Sequence, residues 1–513
     1  MSNKQIYQME KRIICSVVLA AAMVAAVPTV RAQKGGTPER DPIPMPTVSI
    51  DSVMKHIVEL SSETYEGRLA GTEGYDRAAK YVGNVLRRYG VRELKEQPFE
   101  LECNEVENCK FNIYTPGSKE KRVFTLGNEF CCAGMTGRGY VDAQMVFCGY
   151  GVDNGLFDEY KGVDVQGKIA VVLTGVPEWL PGSVADHYRT LRDKARTAER
   201  HGAIGLLAIN ISPSCTSYEP QGRVYCGELP HLGTFPILQL TLDCGREILD
   251  GEAMGLDAAK EAIDKEQKVS SFATLKKAEV DVNARYRPRA RTMNVVGLLE
   301  GSDKQLRSEI VVVGASLDGI GIQGETCLFP GADINASGVA AVLETARVLS
   351  DKEFRPRRSV LFVLFSGSEQ QYAGSREFLN QYGRLRNVEA FVNAQNIGCG
   401  DSLVVLGDNR YPTLWEIAHS HDTAADRQHM LRSEEKTNPR GDAKAFDNLA
   451  IPSIVVTTHN GMQHNHVASD IWENIDRRIL HQATRLMAET VAELGEGLYQ
   501  GRSPQSRSLR FRN

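Results

Sequence analysis

The stretch EIVVVGASLDG (309–319), followed by ASGVAAVLETARVLSD (336–351) and SVLFVLFSGS (359–368), decides the fold. Two near-continuous apolar runs flank a segment whose apolar residues recur at helical spacing. A strand buried on both faces reads as an unbroken Val/Ile/Leu run, and a helix between two such strands points to a parallel crossover. The alternation continues outward. NVVGLLEG (294–301), NVEAFVNAQNIG (387–398), DSLVVLG (401–407) and IPSIVVTT (451–458) read as strands. AGSREFLNQYG (373–383), PTLWEIAHSHD (412–422) and a last segment over about 476–495 read as helices. The expectation is an α/β protein, a three-layer α/β/α sandwich on a mostly parallel, mixed central sheet.

On the amino-terminal side, SIDSVMKHIVELSS (49–62) and GYDRAAKYVGNVLRRYG (74–90) show helical periodicity around the Gly-rich loop YEGRLAGTEG (65–74). From about 130 to 275 the texture changes. DAQMVFCGYGV, GKIAVVLTGV, AIGLLAINI and FPILQL are short strand-like runs between Gly/Pro turns, with a helix near 190–201. Residues 33–47 (QKGGTPERDPIPMPT) read as a linker and 499–513 as a flexible tail. The expected organisation is a leader (1–32), the linker, a discontinuous α/β domain (48–130 and 280–498), a β-rich insert (131–279) and the tail.

The 513 residues carry a net charge of −5, with 42% hydrophobic and 24% charged side chains. That composition excludes disordered, collagen-like and coiled-coil classes, and no basic excess exists to neutralise nucleic-acid phosphates. Lys11 and Arg12 precede an apolar run from Ile13 to Val27, and Val30 and Ala32 offer small residues for cleavage. This is the order of a secretory signal peptide, too short to span a bilayer. It predicts an exported protein, periplasmic or extracellular, with no membrane span after cleavage. Ten cysteines follow the leader, and loop closure favours the pairs Cys103/Cys109 and Cys215/Cys226.

Polar residues cluster at the strand ends in the order GASLDG, PGADINASG, FSGSEQQYAGS, NAQNIG and HVASD. This order resembles the M28 family of zinc aminopeptidases and carboxypeptidases, whose pattern at these places reads roughly GAHxD, GADDNASG, xxxEExGxxGS, NxDxxG and HxxxD. YEGRLAGTEGYDRAAKYV also fits the family, and residues 135–250 resemble the protease-associated (PA) domain that many members carry as an insertion. The resemblance implies two zinc ions about 3.5–4 Å apart that clamp the attacking water and the peptide carbonyl. It also implies one histidine and one carboxylate for each ion, a bridging carboxylate, and a further carboxylate as general base.

Carried over residue by residue, the family's ligand positions are Ser316, Ile334, Glu369, Gln395 and His466, and the general-base position is Ser368. Only Glu369 and His466 are competent zinc ligands. Isoleucine has no lone pair, and the serine hydroxyl and glutamine carbonyl are poor substitutes for imidazole and carboxylate. Neighbours at family spacing, Asp318, Asp333, Asn335 and Gly374-Ser375, exclude a slip of register. Asp318 is expected to bond Ser316 or a nearby backbone amide, and Asp333 and His464 to lie in or behind the cleft.

The resemblance therefore implies no cofactor, or at most a zinc held weakly by Glu369 and His466. It implies a metal-free relative that binds a peptide, amino acid or protein in the former cleft. The alternative is an active zinc exopeptidase with non-standard ligands. HNGMQHNH (459–466) packs His459, His464 and His466 together, but its spacing matches no ordinary zinc pattern and reads as a polar loop rimming a pocket. Ser368 lacks the G-x-S-x-G elbow of a hydrolase nucleophile and reads as solvent-facing.

Overall fold

The computed structural model describes residues 47–211, 230–422, 437–461 and 466–501. The leader, most of the linker, the Cys215/Cys226 pair, His464 and residues 502–513 lie outside the described residues.

Two helices come first, α1 (Ile50–Leu60) and α2 (Glu73–Arg88). Ser49 and Thr72 cap them, their side-chain oxygens accepting from the amides of Ser52 and Tyr75. Strand β1 (Arg92–Tyr114) follows, then β2 (Arg122–Val123), β3 (Phe130–Cys132), β4 (Gly139–Phe147) and β5 (Ile169–Leu173). Helix α3 (Leu191–Arg200) precedes β6 (Gly205–Ile209) and β7 (Ile237–Leu240), and α4 (Leu242–Leu249) and α5 (Leu256–Asp264) come next.

Strand β8 (Phe272–Leu299) leads into the α/β unit: β9 (Ile310–Ser316), β10 (Ile322–Gln323), β11 (Cys327–Leu328), α6 (Gly338–Leu349) and β12 (Ser359–Phe365). After these come α7 (Ala373–Gln381), β13 (Val388–Ala394), β14 (Ser402–Leu406), α8 (Pro412–Ser420), α9 (Asp442–Asn448), β15 (Ser453–His459) and α10 (Arg477–Gly495).

The central sheet is mixed. Strands β12, β9, β13 and β15 run parallel side by side, with β8 antiparallel at one flank and β14 at the other. Every residue of β9, β12 and β13 is buried, as strands covered on both faces require. Helices α1, α2, α6, α8 and α10 cover one face and α7 and α9 the other. The fold is thus the α/β sandwich read from the apolar runs. Among the described residues no helix is long and apolar enough to cross a membrane.

The sheet extends further than the sequence shows. Strand β8 is 28 residues long and pairs antiparallel with the 23-residue β1 along most of its course. Its far half also pairs with β4, so the strands β4 to β7 of the insert continue the same sheet. Only the apolar end of β8, NVVGLL, reads clearly as a strand. The rest is a half-exposed ribbon whose charged residues dilute the period-two alternation. Helices α4 and α5 also go unread, because each is short and lies between strands.

One expected disulfide is corrected. Cys103 and Cys109 lie on the same extended strand, opposite Arg287 and Val282 respectively, and no bond joins them to each other. Six residues of strand span roughly 20 Å, far beyond the reach of a disulfide.

Candidate functional site

From β9 the chain crosses to β12 on one side and then to β13 on the other, so the carboxyl ends of β9 and β13 flank a topological switch point. In open α/β sheets such a crevice is where ligands bind. A small cavity of about 40 Å³ opens there. Ser316, Ile334, Ser368, Glu369, Gln395 and His466 all line it, joined by Asp318, Tyr372, Asn396 and Asp470.

Ser316 ends β9, and its hydroxyl donates to Asp442 Oδ2 at 2.6 Å. Burial pushes the Asp442 carboxyl up to about 6, against the hydrogen bonds from Ser316 and Ser375. Asp318 does not accept from Ser316. Its carboxylate takes the amide of Ser368 at 2.9 Å and the Ser368 hydroxyl at 3.0 Å. Ser368 is therefore half-buried and engaged, not the solvent-facing serine expected. Burial raises the Asp318 carboxyl to about 8, with the charge of Glu369 adding to the rise.

Asp333 lies behind the cavity wall. Its Oδ1 accepts the Gly398 amide at 2.6 Å and the Ser337 hydroxyl at 3.2 Å, while Ile334 beside it faces the space. Burial first, and Asp470 second, hold the Asp333 carboxyl near 8. Asp470 in turn accepts the amides of Asp333 at 2.7 Å and Ile334 at 3.1 Å. His466 Nε2 lies 3.1 Å from Glu369 Oε1, both side chains nearly buried. His459 turns outward to Asp401 at 3.1 Å and does not join them.

Arg68 anchors the walls. Its guanidinium is wholly buried and donates to Leu317 O at 3.1 Å, Pro330 O at 2.8 Å, Gly331 O at 2.8 Å and Leu60 O. Gly67 beside it has φ +65°, and a Cβ there would lie 2.2 Å from Gly321 O. That close approach brings the YEGRLAG loop against the 317–331 wall. Nothing in the sequence marks Arg68, Asp442 or Asp470 beyond their place in quoted motifs or short polar stretches.

A two-zinc centre needs several imidazoles and carboxylates aimed at one space. The donors here do not meet that need. The Ser316 hydroxyl is turned to Asp442, Ile334 offers no lone pair, and Asp318 and Asp470 brace main-chain amides. Among the described residues, no group of three or more His, Cys, Asp or Glu side chains converges to hold a metal ion.

Residues 294–491 match the model of peptidase family M28. Transferrin receptor protein 2 of Homo sapiens is 25% identical over 421 residues, which cover 69% of this chain and 48% of that protein. The chain thus spans about half the length of the curated relatives it matches. Among solved structures, the zinc aminopeptidase BSAP from Bacillus subtilis superposes with a TM-score of 0.62 at 19% identity, over 89% of this chain and 96% of that one. An aminopeptidase from Aneurinibacillus sp. strain AM-1 superposes with a TM-score of 0.58 at 19% identity, over 86% and 93%. At that identity the superpositions speak for the fold alone.

Proposed function

We propose that this chain, M28 zinc-aminopeptidase-like in fold and in its family match, is a non-catalytic binder that holds a peptide, amino acid or protein segment in the cavity at its strand ends. The observation that carries the reading is the donor set. Two of the five family ligand positions keep a zinc-binding side chain, and those two, Glu369 and His466, are hydrogen-bonded to each other. The general-base position holds Ser368, whose hydroxyl donates to Asp318. A serine there cannot take a proton from water near neutral pH, and loss of a carboxylate base alone costs about 10²–10⁴-fold in rate.

The remaining chemistry suits recognition. The cavity presents carboxylates, hydroxyls and amides around an apolar wall of Ile320, Phe329 and Val467, the mixture that orients a small polar ligand. Export through the leader-like segment 1–32 and a PA-like role for residues 131–279 belong to the same proposal. The competing reading is a zinc exopeptidase that uses non-standard ligands.

The test is ligand-induced thermal shift with short peptides and amino acids, run with and without chelator, beside an assay for amino-acid arylamide hydrolysis. The proposal expects shifts that survive the chelator and no hydrolysis. Chelator-sensitive release of amino acids would establish the exopeptidase instead.

A further inference from the structure

Outside the cavity, the described residues hold a second cluster of reactive side chains. Cys109 on β1 and Cys132 on β3 face each other with their sulfur atoms 2.8 Å apart, both buried. The two strands are not neighbours in sequence, and a third element fixes their approach. Gln323 of β10, 1% exposed, accepts the Cys132 amide at 2.8 Å and donates to the Cys132 carbonyl at 2.9 Å. Strand β10 also pairs with β1 at Val106, three residues from Cys109. The backbones on both sides of the thiol pair are thus already tied together. Cys131 points to the opposite face of β3 and packs with Ile320, Cys327 and Phe329, as strand alternation requires.

We infer that Cys109 and Cys132 form a disulfide that staples the insert to the β1–β8 ribbon. The bond is made by thiol–disulfide exchange with a small-molecule disulfide such as oxidised glutathione. One thiolate attacks the carrier disulfide and releases a carrier thiol. The second thiolate then attacks the mixed disulfide and displaces the other. The two cysteines lose two electrons and two protons, and the carrier is recovered as two thiols. Burial holds the Cys132 thiol well above its ordinary range, so exchange is slow once β3 has packed. The bond therefore forms during folding. Its position has a consequence for the cavity, because the β10–β11 turn held by Gln323 runs directly into Phe329 on the cavity wall.

The test refolds the full chain from denaturant in a reduced and oxidised glutathione mixture, alkylates free thiols, and maps digests by mass spectrometry with and without reductant. The inference expects a Cys109–Cys132 linked peptide that disappears on reduction. It also expects the thermal midpoint to fall by roughly 5–10 °C on reduction, from the typical effect of closing a short loop. In the double variant Cys109→Ala/Cys132→Ala, reductant should leave the midpoint unchanged. If both cysteines are alkylated in refolded protein, or Cys109 is found linked to Cys327 or Cys103, the inference is overturned. The single variant Cys132→Ala keeps the test decisive should the double variant not fold, since it too should lose the reductant response.

Discussion

Two of the regions that bury carboxylates, the insert and the strand ends of the α/β unit, use them differently. In the insert, Glu159 accepts the amides of Tyr150 at 3.0 Å and Val152 at 2.9 Å, with Lys194 buried nearby and donating to Tyr150 O. A Cβ on Gly149 would sit 1.7 Å from its Oε1, so this acid packs directly against the Gly149 backbone. At the strand ends, Asp318, Asp333 and Asp470 also accept main-chain amides, but Asp318 and Asp470 line an open cavity and Asp333 lies just behind its wall. The comparison teaches which acids are structural. Those that brace backbone resemble Glu159 in role, and beside Asp318 and Asp470 the open space is faced by Ser316, Ile334, Gln395 and the Glu369–His466 pair. The frame of the α/β site is kept while the side chains aimed into it are not those of a two-metal centre.

The largest expected effect lies in the bracing of the cavity. Arg68→Met leaves four carbonyls that now accept from the guanidinium without their donor in a buried space. Denaturant unfolding should show a loss of about 3–5 kcal/mol. A loss under 1 kcal/mol would mean that the loop does not depend on it.

The second prediction concerns the insert's acid and pH. Burial raises the Glu159 carboxyl to about 7 from an unfolded value of 4.5. Between those values the folded chain holds more protons than the unfolded chain, so this group makes stability fall as pH rises through that window. Lys194 is lowered to about 7 from 10.5, so above pH 7 the unfolded chain holds more protons and its contribution makes stability rise. Glu159→Gln should flatten the fall between about pH 4.5 and 7, a change of about 3 kcal/mol across the window. An unchanged pH profile would place the titration elsewhere.

The smallest effect should come from the pair inside the cavity. His466→Ala breaks a single 3.1 Å contact at the edge of the space, and the ligand-free protein should lose at most about 1 kcal/mol. Its peptide-induced thermal shift should shrink markedly. If stability collapses while ligand response is unchanged, the pair is structural and the comparison with Glu159 extends into the cavity.

The buried strands were legible because parallel strands covered on both faces leave unbroken apolar runs, as IVVVGAS and SVLFVLF do. Helices α1 and α2 were legible from the periodicity of their apolar residues. The β1–β8 ribbon was not, since each strand buries only one face and charges such as Lys276, Lys277, Arg285 and Arg287 interrupt its alternation. Of the site, the strand-end motifs pointed to the residues that line the cavity. Partners that reach it from distant segments left no periodic trace. Asp442 arrives from α9 to take the Ser316 hydroxyl, and Arg68 acts through backbone carbonyls that no side-chain pattern reveals.

The loss of the two-metal site is most directly tested by elemental analysis of the purified full chain after equilibration with excess zinc and removal of unbound metal. The variant Ser316→His/Ile334→Asp/Ser368→Glu/Gln395→Asp serves as its comparator. The wild-type chain should retain well under one zinc per chain, and the four-residue variant should retain more. Two zinc ions held stoichiometrically by the wild-type chain would contradict the account and make it a metallopeptidase candidate with ligands of its own.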